Sequence, residues 1–143
     1  MALYKLCPHC GRRVLIGEKC DCKAVQEIEA AKQKRYDQVK RDRQAKKFYS
    51  SVRWQAMRNE VMAAAYGLDE VDWNIGQATK GNVIHHIVPL RENPDRALDP
   101  YNLICLSAET HSYIHKLYNS NQKAEIQKQL FLLAEKRIKR HLR

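Results

Sequence analysis

Four of the six histidines fall within one short stretch: His85, His86, His111 and His115. Two are adjacent and two are four residues apart. Imidazole binds divalent metals and exchanges protons near neutral pH, so this grouping points to metal chemistry or proton transfer rather than packing. A second set lies at the N-terminus. Of five cysteines, Cys7, Cys10, Cys20 and Cys22 sit within the first 22 residues, and Cys105 stands alone. Four thiolates at such spacing favour a closed, tetrahedral, structural zinc site. The second pair has a single residue between its cysteines, Asp21, so His9 or solvent is an alternative to one thiolate. Four free thiols in a disordered tail are the plainer reading.

The elements that position these residues follow from periodicity. Residues 1–23 are a zinc ribbon-like knuckle, with room between the cysteine pairs for one short hairpin through Val14, Leu15 and Ile16 turning near Gly17. So small a unit has almost no core, and metal supplies most of its folding free energy. Residues 24–47 lack Gly and Pro and are rich in Ala, Gln, Glu, Lys and Arg, which predicts a helix. Its apolar stripe is thin (Val25, Ile28, Tyr36, Val39), so it reads as an exposed, basic spacer lying along phosphate or merely solvated. Residues 48–66 predict a second helix with Trp54, Met57, Val61 and Ala64 inward, Ser50 or Ser51 as cap and Gly67 as stop.

Residues 68–82 read as a polar connection. Residues 83–90 read as a strand, 91–99 as a loop, 101–106 as a return strand or short turn, and 107–118 as a helix with His111 and His115 on one face. A terminal helix runs from Ser120 with Ile126, Leu130 and Leu133 inward, fraying after Leu133. Strand side chains alternate, so His85 and His86 point to opposite faces. A helix packing back brings His111 and His115 to one of them. His85, His111 and His115 can then converge on one divalent cation, leaving His86 over a separate cleft as a general base.

Charge adds a partner. Residues 1–47 carry 13 Lys/Arg against 6 Asp/Glu, residues 48–118 carry 6 against 8, and residues 119–143 carry 7 against 2. Basic flanks around a near-neutral centre suit a polyanion, most simply nucleic acid, because neutralised phosphates release counterions. No apolar run approaches the roughly 20 residues of a membrane span, and no signal-peptide core is evident, which places the chain in a cytoplasm.

The stretch Val83-Ile84-His85-His86-Ile87-Val88-Pro89-Leu90, then Asn102-Leu103-Ile104, then His111-Ser112-Tyr113-Ile114-His115 resembles the HNH (ββα-metal) endonucleases. Residues 48–54, Phe-Tyr-Ser-Ser-Val-Arg-Trp, resemble the lead-in helix of phage-encoded members. The resemblance spans about residues 48–116. It implies an α+β fold, a small ββα-metal module (48–118) flanked by helices (24–47 and 119–143), behind the N-terminal zinc knuckle. It also implies His86 as the general base, Asn102 orienting His86 or its loop, and His85, His111 and His115 holding a divalent metal. Many members use Asp where His85 stands. An all-imidazole site shifts preference from Mg²⁺ toward Zn²⁺, Ni²⁺, Co²⁺ or Mn²⁺. Many members also carry a structural zinc on two Cys-x-x-Cys pairs around the module. Here Ser107 and Thr110 occupy the second pair's positions and residues 63–72 hold no cysteine, so packing is expected to hold the module together. Cys105 is expected to be buried rather than liganding.

The activity implied is metal-dependent hydrolysis or nicking of DNA, read as double-stranded, leaving 5′-phosphate and 3′-hydroxyl ends. Phage packaging proteins are the expected protein partners, and a phage-encoded chain would act in the host cytoplasm. The alternative is a non-catalytic nucleic-acid-binding regulator using the zinc unit and basic helices. A weaker one is a ribonuclease or a component requiring a partner subunit.

Overall fold

The computed structural model describes residues 3–142; Met1, Ala2 and Arg143, at the ends of two expected segments, lie outside the described residues. The chain divides into two compact units, Met1–Lys47 and Phe48–Arg143. Among the described residues no helix is long and apolar enough to cross a membrane.

In the first unit, β1 (Tyr4–Leu6) and β2 (Arg13–Leu15) pair antiparallel, Tyr4 opposite Leu15. The hairpin differs from the expected one. Its first strand precedes Cys7, and its turn is the cysteine turn itself, closed by Gly11 N–H donating to the Cys7 carbonyl at 2.9 Å. Gly11 has φ +73°, a left-handed conformation that favours glycine. Then comes α1 (Lys23–Tyr49), which buries none of its side chains, as its thin apolar stripe predicts.

The second unit begins with the last residues of α1. The helix expected to start at Phe48 starts later, as α2 (Val52–Ala64), because Ser51 breaks the chain's helical course. Its Oγ donates to the Phe48 carbonyl at 2.7 Å and accepts from Trp54 N–H at 3.2 Å, ending one helix and capping the next. The connection after Gly67 is more structured than expected. It contains α3 (Glu70–Asn74), capped by Asp69, whose carboxylate accepts from the Val71 and Asp72 N–H groups.

The expected strand at 83–90 shortens to β3 (Val83–His86), paired antiparallel with β4 (Leu103–Leu106) so that His85 faces Ile104 and His86 faces Leu103. The helices α4 (Ala108–Tyr118) and α5 (Lys123–His141) complete the unit. The hairpin lies between two apolar clusters. Trp54, Val61 and Ala65 of the α2 segment pack with Ile84, Leu103 and Cys105 on one side. Ile114 of α4 and Leu130 and Ala134 of α5 pack with Ile87, Ile104 and Leu106 on the other. Each buried aliphatic side chain contributes about 1.5–3 kcal/mol. A two-stranded sheet alone is marginal, so these clusters carry it.

Packing is not all that holds this module. Asp69 and Glu70, read from sequence as part of a polar connection, are buried. Asp69 Oδ2 accepts from Ser107 N–H at 2.7 Å, and Glu70 Oε2 from Cys105 N–H at 2.7 Å. Arg137, beyond the point where α5 was expected to fray, pairs with Glu70 Oε2 at 2.8 Å, the side chains 1% and 4% exposed. It also donates to the Leu103 and Pro100 carbonyls at 3.0 and 2.6 Å.

Burial alone would raise the Asp69 carboxyl. Hydrogen bonds from Thr110 and the Ser107 and Asp72 backbone outweigh it and hold the group below the ordinary carboxylate range. Its stabilisation is therefore complete above the unfolded pKa, about 3.9, and is lost as pH falls through the lower folded value. Asp69→Asn is expected to cost about 1–3 kcal/mol at pH 7 and to flatten the fall in stability below about pH 4. Urea unfolding across pH measures both, and an unchanged acid limb would refute the assignment. Arg137→Ala leaves Glu70 buried and uncompensated, with an expected loss of about 3–5 kcal/mol in the same experiment.

Candidate metal centre and catalytic histidine

The two strand histidines part to opposite faces. On the α4 side, His85 meets His111 and His115, which one helical turn places on the same face. Ring centroids lie 5.1 Å (His85–His111), 5.2 Å (His85–His115) and 4.4 Å (His111–His115) apart. One nitrogen from each ring lies within 4.8 Å of the others. The Nε2 atoms of His111 and His115 are 3.0 Å apart. Burial, and then the neighbouring His111, His115 and His86, pushes His85 down to about 3. His111 is lowered by burial and by His115. A ligand imidazole must be neutral, so the set fits a divalent cation, and three protein ligands leave positions open.

On the other face His86 is 6% exposed. Its ring stacks on Trp54 (centroids 5.0 Å apart, planes at 20°), with Phe48 and Tyr49 at 5.9 and 6.0 Å. Rather than opening onto a cleft, it sits in this aromatic box. Its Nε2 lies 3.0 Å from the Ala97 carbonyl. A carbonyl only accepts, so Nε2 carries the hydrogen and the Nδ1 lone pair is the one available to take a proton. Burial lowers the His86 pKa, partly offset by the Ala97 bond, so the neutral ring prevails at pH 7.

Asn102 is fully buried, and its side chain bonds only backbone. Oδ1 accepts from Val88 N–H at 2.8 Å, and Nδ2 donates to the Val88 and Arg96 carbonyls, each at 3.1 Å. It closes the loop between the strands and fixes the peptide preceding Ala97. Asn102 makes no contact with His86; the loop it clips carries the Ala97 carbonyl that His86 Nε2 meets.

Sequence reasoning did not single out Tyr118. Its hydroxyl donates to the Ile87 carbonyl at 2.7 Å and lies 3.4 Å from His85 Nε2. The signal was present, because position 118 continues the helical face of 111 and 115. Gln127 joins it on the Ile87 carbonyl at 2.8 Å.

In the first unit the Sγ atoms of Cys7, Cys10, Cys20 and Cys22 lie within 4.8 Å of one another, with Cys7–Cys22 at 3.9 Å and Cys10–Cys20 at 3.5 Å. This metal-sized group contains all four thiols and not His9. Hydrogen bonds from the Arg12 backbone and guanidinium bring Cys10 down to about 6, favouring thiolate. Cys105 is buried, and burial pushes its thiol up to about 12, as suits a packing residue.

No family model matches the chain, and no curated protein does. A solved structure is similar: the HNH endonuclease of the deep-sea thermophilic bacteriophage GVE2 with manganese ion, 29% identical over 67% of this chain and 96% of that one, with a TM-score of 0.52. The chain thus has an HNH-like α+β fold and carries, in addition, a four-cysteine cluster at metal-binding distance.

Asn102 makes its three hydrogen bonds from a fully buried side chain. Asn102→Ala is expected to lower stability by about 2–3 kcal/mol. Thermal unfolding checks this, and a change below about 0.5 kcal/mol would show that the loop holds its shape without the side chain.

Proposed function

We propose that this chain is a metal-dependent DNA endonuclease or nickase that hydrolyses phosphodiester bonds with His86 as general base. The observation that carries the reading is the division of the adjacent histidines. His85 joins His111 and His115 in a metal-sized cluster, while His86 is held apart by the Ala97 carbonyl with one nitrogen free. The GVE2 likeness supports it.

In this reading His85, His111 and His115 hold one divalent cation, with Mn²⁺ the first candidate and Zn²⁺, Ni²⁺ or Mg²⁺ the others. Bound there, the cation supplies Lewis-acid neutralisation of charge on the scissile phosphate. His86 Nδ1 removes a proton from the attacking water as its oxygen bonds to phosphorus. The P–O3′ bond breaks with its electron pair going to O3′, which takes a proton from solvent water, leaving 5′-phosphate and 3′-hydroxyl ends. The Ala97 carbonyl, accepting from Nε2–H, favours the imidazolium that forms, and Asn102 keeps that carbonyl in place. Cys7, Cys10, Cys20 and Cys22 hold a structural zinc, and such thiolates suit a reducing cytoplasm, the host's for a phage protein. Residues 24–47 and the outer face of residues 119–143 supply cations for the DNA backbone, with the zinc unit at 1–23 and the nuclease module at 48–118 in the sequence. Double-stranded DNA is the proposed substrate, and phage packaging proteins are the proposed partners.

His86→Ala is expected to lower plasmid nicking at least about 100-fold while DNA affinity stays within about threefold. The assay runs across Mg²⁺, Mn²⁺, Zn²⁺ and Ni²⁺. Undiminished cutting by the variant removes His86 from the chemistry. Tight DNA binding with no cutting in any metal returns the protein to a non-catalytic regulator.

A further inference from the structure

A cleft of about 470 Å³ opens where α3 meets α5, within the range that holds a small ligand. None of His85, His86, His111 and His115 lines it. One wall carries Trp73, 46% exposed, whereas the other tryptophan, Trp54, is buried. The opposite wall carries Lys136, Lys139 and Arg140, spaced three and four residues apart on one face of α5. Lys136 reaches across to Asn74 Oδ1 at 3.0 Å, and Lys139 is partly balanced by Glu135 at 2.6 Å. Glu70 also lines the cleft. Its Oε2 serves both Cys105 N–H and Arg137, while its Oε1 is buried with no hydrogen-bond partner.

These features ask for one chemistry. An exposed indole offers a stacking platform that any nucleobase can use. A row of cations beside it suits phosphate. An acidic peptide would satisfy the cations but leave the exposed indole without a stacking partner. We propose that this cleft is a nucleotide subsite, seating one unstacked nucleotide of a DNA strand with its base against Trp73 and its phosphates on Lys136, Lys139 and Arg140. The subsite rests on the nuclease reading only for the identity of the polymer. It would hold a strand away from the metal cluster and favour sites where a base is easily unstacked.

The test uses the full chain and two uncleavable probes: a phosphorothioate tetradeoxycytidylate and the abasic phosphorothioate backbone of equal length. The two carry equal charge, so their difference reports the base. The base-bearing probe is expected to quench tryptophan emission and to bind about 10-fold more tightly than the abasic one. By calorimetry, Trp73→Ala should erase that preference and Trp73→Phe should keep it within about threefold. Arg140→Ala should reduce the slope of log affinity against log salt by about 0.7. Equal affinity for the two probes, a preference that survives Trp73→Ala, or stronger binding of a glutamate-rich peptide would each overturn the proposal. Plasmid cleavage is scored separately. A chain that prefers the base but cuts nothing keeps the subsite and loses the nuclease reading, and a chain that cuts without the preference does the reverse.

Discussion

The structure depends on how the outer edge of β4 is closed. A two-stranded sheet pairs each strand on one side only and leaves a row of backbone groups on the other. Here that row is buried, where an unmet donor or acceptor is costly. Three side chains answer it in sequence along the edge. Arg137 takes the carbonyls of Pro100 and Leu103, Glu70 takes the N–H of Cys105, and Asp69 takes the N–H of Ser107. Each carboxylate or guanidinium serves the backbone first, and the Glu70–Arg137 pair offsets part of the charge that this burial strands. The two cysteine pairs that many HNH proteins use for a structural zinc have no counterpart around this module, and this charged clasp braces the same hairpin.

The placement of the four histidines was legible because it is local. Alternation along a strand separates His85 from His86, and one helical turn aligns His111 with His115. Neither inference needs a distant partner. The clasp was hidden for the opposite reason. Glu70 and Arg137 lie 67 residues apart, and each alone looks like a solvated surface charge. Asp69 looks like a loop residue until the N–H it caps is known to be buried. The break at Ser51 was half visible: serine signals a cap, but not that the preceding helix runs up to it. The resemblance left open whether Asn102 orients His86 or its loop, because its partners, backbone groups of Val88 and Arg96, are set by how the loop folds.

The hairpin also separates two electrostatic environments that adjacent residues could not otherwise occupy. His85 is buried against other imidazoles, which suppresses protonation and keeps the ring neutral. His86 is buried against an indole and a carbonyl, which fixes its tautomer and leaves the lone pair on Nδ1. The same residue type meets two different surroundings because the pleat, four residues long, gives each ring different neighbours.

That duplication carries a hazard. In most strands a slip of one residue exposes itself at once by turning apolar groups to water. In β3 it would exchange one histidine for another, so residue type at the site offers little protection against misregistration. Correct alignment has to be enforced from the two ends of the hairpin. At one end Gly81 packs so closely that an added Cβ would meet Cys105 Sγ at 2.5 Å, and Asn82 N–H reaches the Leu106 carbonyl at 2.9 Å. At the other, Ile87 N–H reaches the Asn102 carbonyl at 2.8 Å beside the Asn102 clip. Fidelity of alignment between the strands thus rests on a glycine and an asparagine, neither of which belongs to the histidine cluster.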